Sequence, residues 1–94
     1  MSVRKESEST VVDLTTNSTT IYDGACVLRA LYVNTAISAH VTVIKDNTTA
    51  KYDIPVSLAA GTRYEFNDVM FSKLVVDPDD VTTTGEIVIE WAKA

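Results

Sequence analysis

The sequence predicts a small all-β domain, an antiparallel β-sandwich of about seven to eight short strands. Three observations carry that expectation. From Thr10 onward Thr, Val, Ile and Tyr dominate, the residue types that fit a pleated, half-buried surface. The apolar runs are short and are punctuated by "TTNST", "YDG", "DNTT", "AAGT", "NDV", "DPDD" and "TTTG", turn signals at the spacing of a sandwich or barrel. Several runs alternate apolar and polar residues with period two, whereas no window carries a helical stripe flanked by caps. "VSLAAG", the best helical rival, is too short for more than a turn.

In chain order, residues 1–9 are polar, charged and serine-rich. Alone they bury too little apolar surface to offset the entropy of ordering, so they read as a flexible N-terminal arm. Residues 10–94 read as a single domain, jelly-roll-like or Ig-like. "ACVLRALYV", residues 25–33, is apolar on both faces except for Arg29, as expected of a central strand whose second side is covered or interfacial. In "AKYDIP", Tyr52 and Ile54 oppose Lys51 and Asp53; in "TRYEFND", Tyr64 and Phe66 oppose Arg63 and Glu65. "GEIVIEWAK" sets Ile87, Ile89 and Trp91 on one face and Glu86, Val88 and Glu90 on the other. The expected core is Leu28 or Val27, Leu31, Val33, Val41, Val43, Tyr52, Ile54, Tyr64, Phe66, Phe71, Leu74, Val76, Ile87, Ile89 and Trp91. A core of that size in a chain with no disulfide is marginal alone, and oligomerisation or docking would relieve it.

Eight basic and thirteen acidic residues give the 94-residue chain a formal charge of −5. With the cations scattered and no basic stripe, nucleic-acid binding is not expected. One cysteine excludes an internal disulfide and a cysteine-based zinc site, and fits folding in a reducing cytoplasm. "MSVRKESEST" lacks the apolar core of a signal peptide, and no run of about eighteen apolar residues exists to span a membrane. Asn17 and Asn47 head N-x-S/T triplets, which a Thr-rich chain makes by chance.

Cys26 and His40 are the only residues that could suggest a nucleophile and its base. If residues 25–33 and 39–45 form a hairpin through "NTAIS", Tyr32 lies opposite His40 and Cys26 opposite Asp46. That separates the pair by roughly 20 Å, against the roughly 3 Å that proton transfer needs. Cys26 therefore reads as a small buried hydrophobe. Asp77, Asp79 and Asp80 flank Pro78 and are weak candidates for calcium, since "DPDD" departs from the alternate-oxygen spacing of an EF-hand; a solvated turn is the expected reading. Asp53, Glu65 and Asp68 lie on polar strand faces or in turns, with nothing to raise a pKa for glycoside chemistry. No nucleophile elbow, phosphate loop or dinucleotide fingerprint is present. The chain reads as non-enzymatic, with no catalytic residue and no cofactor. Tyr22 and Tyr32 are the aromatics left outside the core, a thin platform for a small carbohydrate- or host-surface-binding module of tail or adhesion type.

The order "YDGACVLRALYVNT", "HVTVIKDNTTAKYDIPV", "AAGTRYEFNDVMFSKLVVDPDD", "TGEIVIEW" resembles a group of small β-sandwich structural proteins of tailed bacteriophages over residues 19 to 92. Lys73, where that pattern has glycine, is a departure. The resemblance implies a virion component made in the host cytoplasm: a capsid decoration, cement or fibre-base subunit, or one near the head–tail junction. It implies a homo-oligomer whose partners are other virion proteins, the major capsid or head–tail proteins, with no nucleic acid and no membrane. Arg29, Tyr32 and Val88 are the residues expected at such an interface.

Overall fold

A computed structural model describes residues 6–78 and 82–94. Among them the chain is all-β: β1 (Glu8–Asp13), β2 (Thr19–Ser38), β3 (Thr42–Asp46), β4 (Thr49–Ile54), β5 (Arg63–Pro78) and β6 (Thr84–Lys93). All six pair antiparallel in one sheet of order β1-β6-β2-β5-β3-β4. The seven to eight short strands expected from the turn signals are here six, because two of the expected breaks lie inside long strands. β2 runs straight through "YDG", and β5 through "NDV".

A straight strand of twenty residues would extend about 66 Å, but the molecule's longest dimension is 45 Å. β2 therefore bends, and the sheet folds over itself around one core. Residues of all six strands share that core, from Val12 of β1 and Leu28 of β2 to Ile44, Ile54, Leu74 and Ile87. The fold-over is pinned at Trp91 of β6. Its ring stacks on Tyr22 at 5.1 Å between centroids, and its indole N–H donates to Thr10 Oγ1 at 2.9 Å. The side chain a residue 24 other than glycine would carry falls 2.9 Å from the Tyr22 ring, so Gly24 clears the space that the ring occupies.

Bulges let the long strands keep one face on the core through the bend. In β2, Cys26 and Leu28 point inward, and so do Leu31 and Val33, all fully buried. The step from 28 to 31 is odd, and strict alternation would turn one pair outward. The register against β6 slips by one residue between Leu28 and Ala30, which resets the phase as a bulge does. β5 resets twice, between Phe66 and Val69 and between Phe71 and Leu74. At the first, Asn67 and Asp68 both adopt positive φ, 55° and 57°, a conformation that Asn and Asp tolerate better than other side chains. At the second, Asp46 Oδ1 accepts from the backbone N–H groups of Ser72 and Lys73, each at 3.1 Å, and from Ser72 Oγ at 2.7 Å.

Three expectations need correction. Residues 25–33 and 39–45 do not form a hairpin: β2 continues to Ser38 and pairs with β5 and β6, while β3 pairs with β4 and β5. The expected arm boundary after residue 9 falls inside β1, since Glu8 and Ser9 already pair with Trp91 and Glu90; residues 1–5 lie outside the described residues. In β3 the buried side chains are Thr42 and Ile44, while Val43, and Val41 just before the strand, are only half-buried. That phase sends Ile44 inward and leaves Lys45 outside, where its ammonium meets Asp77 at 2.6 Å. The remaining expected core residues are buried, or, for Tyr52, Tyr64 and Phe66, partly buried against the core.

Two stability changes follow from this packing. Gly85 has φ 126°, and a Cβ there would lie 2.9 Å from the Ala36 carbonyl oxygen. Gly85→Ala should cost about 1–3 kcal/mol in urea unfolding, the range for a strained backbone position. The Thr42 hydroxyl is buried without a hydrogen-bond partner. Thr42→Val should therefore leave the urea midpoint unchanged or raise it, by up to about 1 kcal/mol, because an unmet polar group is removed.

Candidate functional site

The face of β1, β6, β2 and β5 turned away from the core carries three of the exposed large apolar side chains, Val11, Tyr32 and Met70, together with the ion pairs of Arg29 and Arg63. Its layout follows from the register. Val11 of β1 stands opposite Val88 of β6, Val88 opposite Tyr32 of β2, and Tyr32 opposite Arg63 of β5. Neighbouring strands lie about 4.8 Å apart, so Val11, Val88 and Tyr32 form one apolar row ending at the sheet edge. Val11 is 59% exposed and Tyr32 36%. The next row reads Ser9, Glu90, Ala30, Glu65, and beyond the bulge Ala92 stands opposite Val27 and Val27 opposite Met70, which is 60% exposed.

Between the apolar rows runs a band of ion pairs. Arg63 donates through Nε to Glu65 and through Nη2 to Glu90, both at 2.6 Å. The second contact spans β2, and the small side chain of Ala30, between Glu65 and Glu90 in the register, leaves room for it. Hydrogen bonds to Glu65 first, and to Glu90 second, hold the Arg63 guanidinium above its ordinary pKa. Arg29 sits in the bulge with its side chain only 10% exposed. It donates through Nε to Asp68 at 3.0 Å and through Nη1 to Ser7 Oγ at 2.8 Å. Together Ser7, Arg29, Arg63, Glu65, Asn67, Asp68 and Glu90 line an open cleft of about 650 Å³. Each guanidinium in it is paired to a carboxylate, so its chemistry is that of a mixed-charge, hydrogen-bonding surface flanked by apolar side chains.

The structure brings Tyr32 and Val88 side by side, places Arg29 beneath the same face as a buried ion-paired cation, and adds Val11 and Met70. Val11 is not among the residues expected at an interface, although the β-branched pair in "ESTVVD" carries a strand signal. Cys26 is fully buried in β2, where desolvation pushes its thiol pKa up. His40 is exposed beyond the end of β2, fourteen positions along the chain. Tyr22 packs on Trp91 with Lys93 Nζ over its ring at 5.4 Å. Asp77 is paired to Lys45, and Asp79 and Asp80 lie outside the described residues. Among the described residues no group of three or more His, Cys, Asp or Glu is placed to hold a metal ion, and no helix is long and apolar enough to cross a membrane.

No protein-family model, curated protein or solved structure matches this chain.

Two measurements separate the roles of these carboxylates. Asp68→Ala leaves Arg29 buried beside an unfilled position and puts alanine at positive φ. It should cost about 1–3 kcal/mol, whereas Glu65→Gln, at a surface pair, should change stability by less than about 1 kcal/mol. Asp46 has its pKa lowered, chiefly by the Ser72 hydroxyl and further by the Lys73 and Ser72 backbone N–H groups. A depressed carboxylate adds stability above its unfolded pKa and loses it as pH falls through the lower folded value. The urea midpoint should therefore drop as pH falls below about 4, and Asp46→Asn should flatten that drop.

Proposed function

We propose that the chain is a non-enzymatic structural subunit that acts by protein–protein assembly, a virion component of tailed-phage type such as a capsid decoration, cement or fibre-base protein. The observation that supports it is the row of exposed Val11, half-buried Val88 and exposed Tyr32 beside the ion pairs of Arg63 on the outer face of the sheet. Exposed apolar side chains in a contiguous row, rimmed by charges, are what a protein interface requires. The phage assignment draws on the sequence pattern of residues 19 to 92, and the partners it entails are further copies of the chain and the capsid or head–tail proteins. The glycan-binding alternative loses support, because Tyr22 is stacked on Trp91 and Tyr32 stands in the row without a second exposed aromatic beside it.

Two measurements test this reading. Mass spectrometry of particles purified from the source should find the chain in stoichiometric amount; its absence from particles contradicts the virion assignment. Light scattering after gel filtration should give a species larger than the 10.2 kDa chain, with Val88→Lys weakening association about tenfold or more. A monomer at every concentration, for both proteins, contradicts assembly by self-association.

A further inference from the structure

Among the described residues the sheet has two open edges, β1 and β4, and they are built differently. Open edges are normally blunted by lysine, proline or a bulge. β4 has all three at hand: Lys51 in its middle, Pro55 directly after it, and a register slip where it meets β3 between Ile44 and Lys45. β1 has none. From Ser9 to Val12 it is uncharged, it pairs with β6 without a slip, and it carries the most exposed member of the apolar row, Val11.

Resting on the assembly reading above, we propose that β1 is the homotypic interface, pairing antiparallel with β1 of a second copy across a two-fold axis to make one continuous sheet. Opposed residues in an antiparallel pair point to the same face, and faces alternate along a strand. On a strand paired with itself, opposed residue numbers must therefore sum to an even number. The register that would set Glu8 against the partner's Asp13 sums to 21 and is forbidden, so the acidic ends of β1 do not meet as a directly opposed pair. The register summing to 22 sets Val11 against the partner's Val11. On the outer face this joins two apolar rows into one of six side chains: Tyr32, Val88 and Val11, then the partner's Val11, Val88 and Tyr32. On the inner face Thr10 meets the partner's Val12, and Ser9 stands opposite the partner's Asp13 on the outer one. Such an arrangement is isologous, with one patch used twice, and it closes at two copies.

Disulfide trapping tests it directly. Opposed Cα atoms in an antiparallel pair are about 4.5–5.5 Å apart, within disulfide reach, and the native Cys26 is buried. Full-length Val11→Cys should oxidise to a covalent dimer at least tenfold faster than Tyr32→Cys, which lies two strands in from the edge. Far-ultraviolet circular dichroism verifies that each variant is folded. If wild type is oligomeric by light scattering but Val11→Cys oxidises no faster than Tyr32→Cys, assembly stands and the β1 interface is wrong. If wild type is monomeric and neither variant cross-links, self-association and the β1 interface both fail. An open-ended ladder of sizes, as β1 pairing with β4 of the next copy would give, also overturns the proposal.

Discussion

The bend in β2 is the constraint on which the rest of the structure depends. A twenty-residue strand with apolar side chains along its whole length can be buried in a molecule this small only if the sheet turns back over it. Once it does, β5 and β6 flank the same strand on either side, β1 and β4 become the two edges, and one core serves all six strands. The stack of Tyr22 on Trp91 holds the start of β2 against β6, and the Thr10 hydroxyl ties β1 to the same indole.

The bend has a polar cost, and the chain meets it with carboxylates. Each bulge releases backbone groups or redirects side chains that a regular ladder would have satisfied. Asp46 collects the freed N–H groups of Ser72 and Lys73, and Asp68 neutralises the arginine that the β2 bulge leaves beneath the outer face. Of the chain's excess of acids, these two are structural parts of the fold. Asp68 also shapes the outer face: it holds Arg29 down, while Arg63 stretches over Ala30 to Glu90 beside the row of Val11, Val88 and Tyr32.

Much of this was legible in the sequence, and what was not has specific causes. The period-two reading of "GEIVIEWAK" places Ile87, Ile89 and Trp91 inward, as observed, because β6 is regular over that stretch. It cannot follow β2 or β5, where an odd step, 28 to 31 or 66 to 69, keeps both residues inside. Turn-forming residues at "YDG" and "NDV" signal strand ends to local chemistry, yet here they are spent on a clearance for Tyr22 and on a bulge within continuous strands. In β3 Val43 and Ile44 are adjacent β-branched residues, so alternation alone does not say which faces the core; Ile44 is the buried one. Of the outer face, Tyr32 and Val88 could be named from alternation alone. Their neighbour Val11 could not, since its place in the row is fixed by a register with a strand about eighty residues away.

The most direct test of the folded-over sheet is a double-mutant cycle between Tyr22→Leu and Trp91→Leu, read by urea unfolding. Stacked aromatic pairs couple by about 0.5–1.5 kcal/mol beyond their burial, and a value in that range is the result predicted if β2 bends back onto β6. Additivity to within about 0.3 kcal/mol would mean that the two rings do not touch, and that the sheet is not closed at this point.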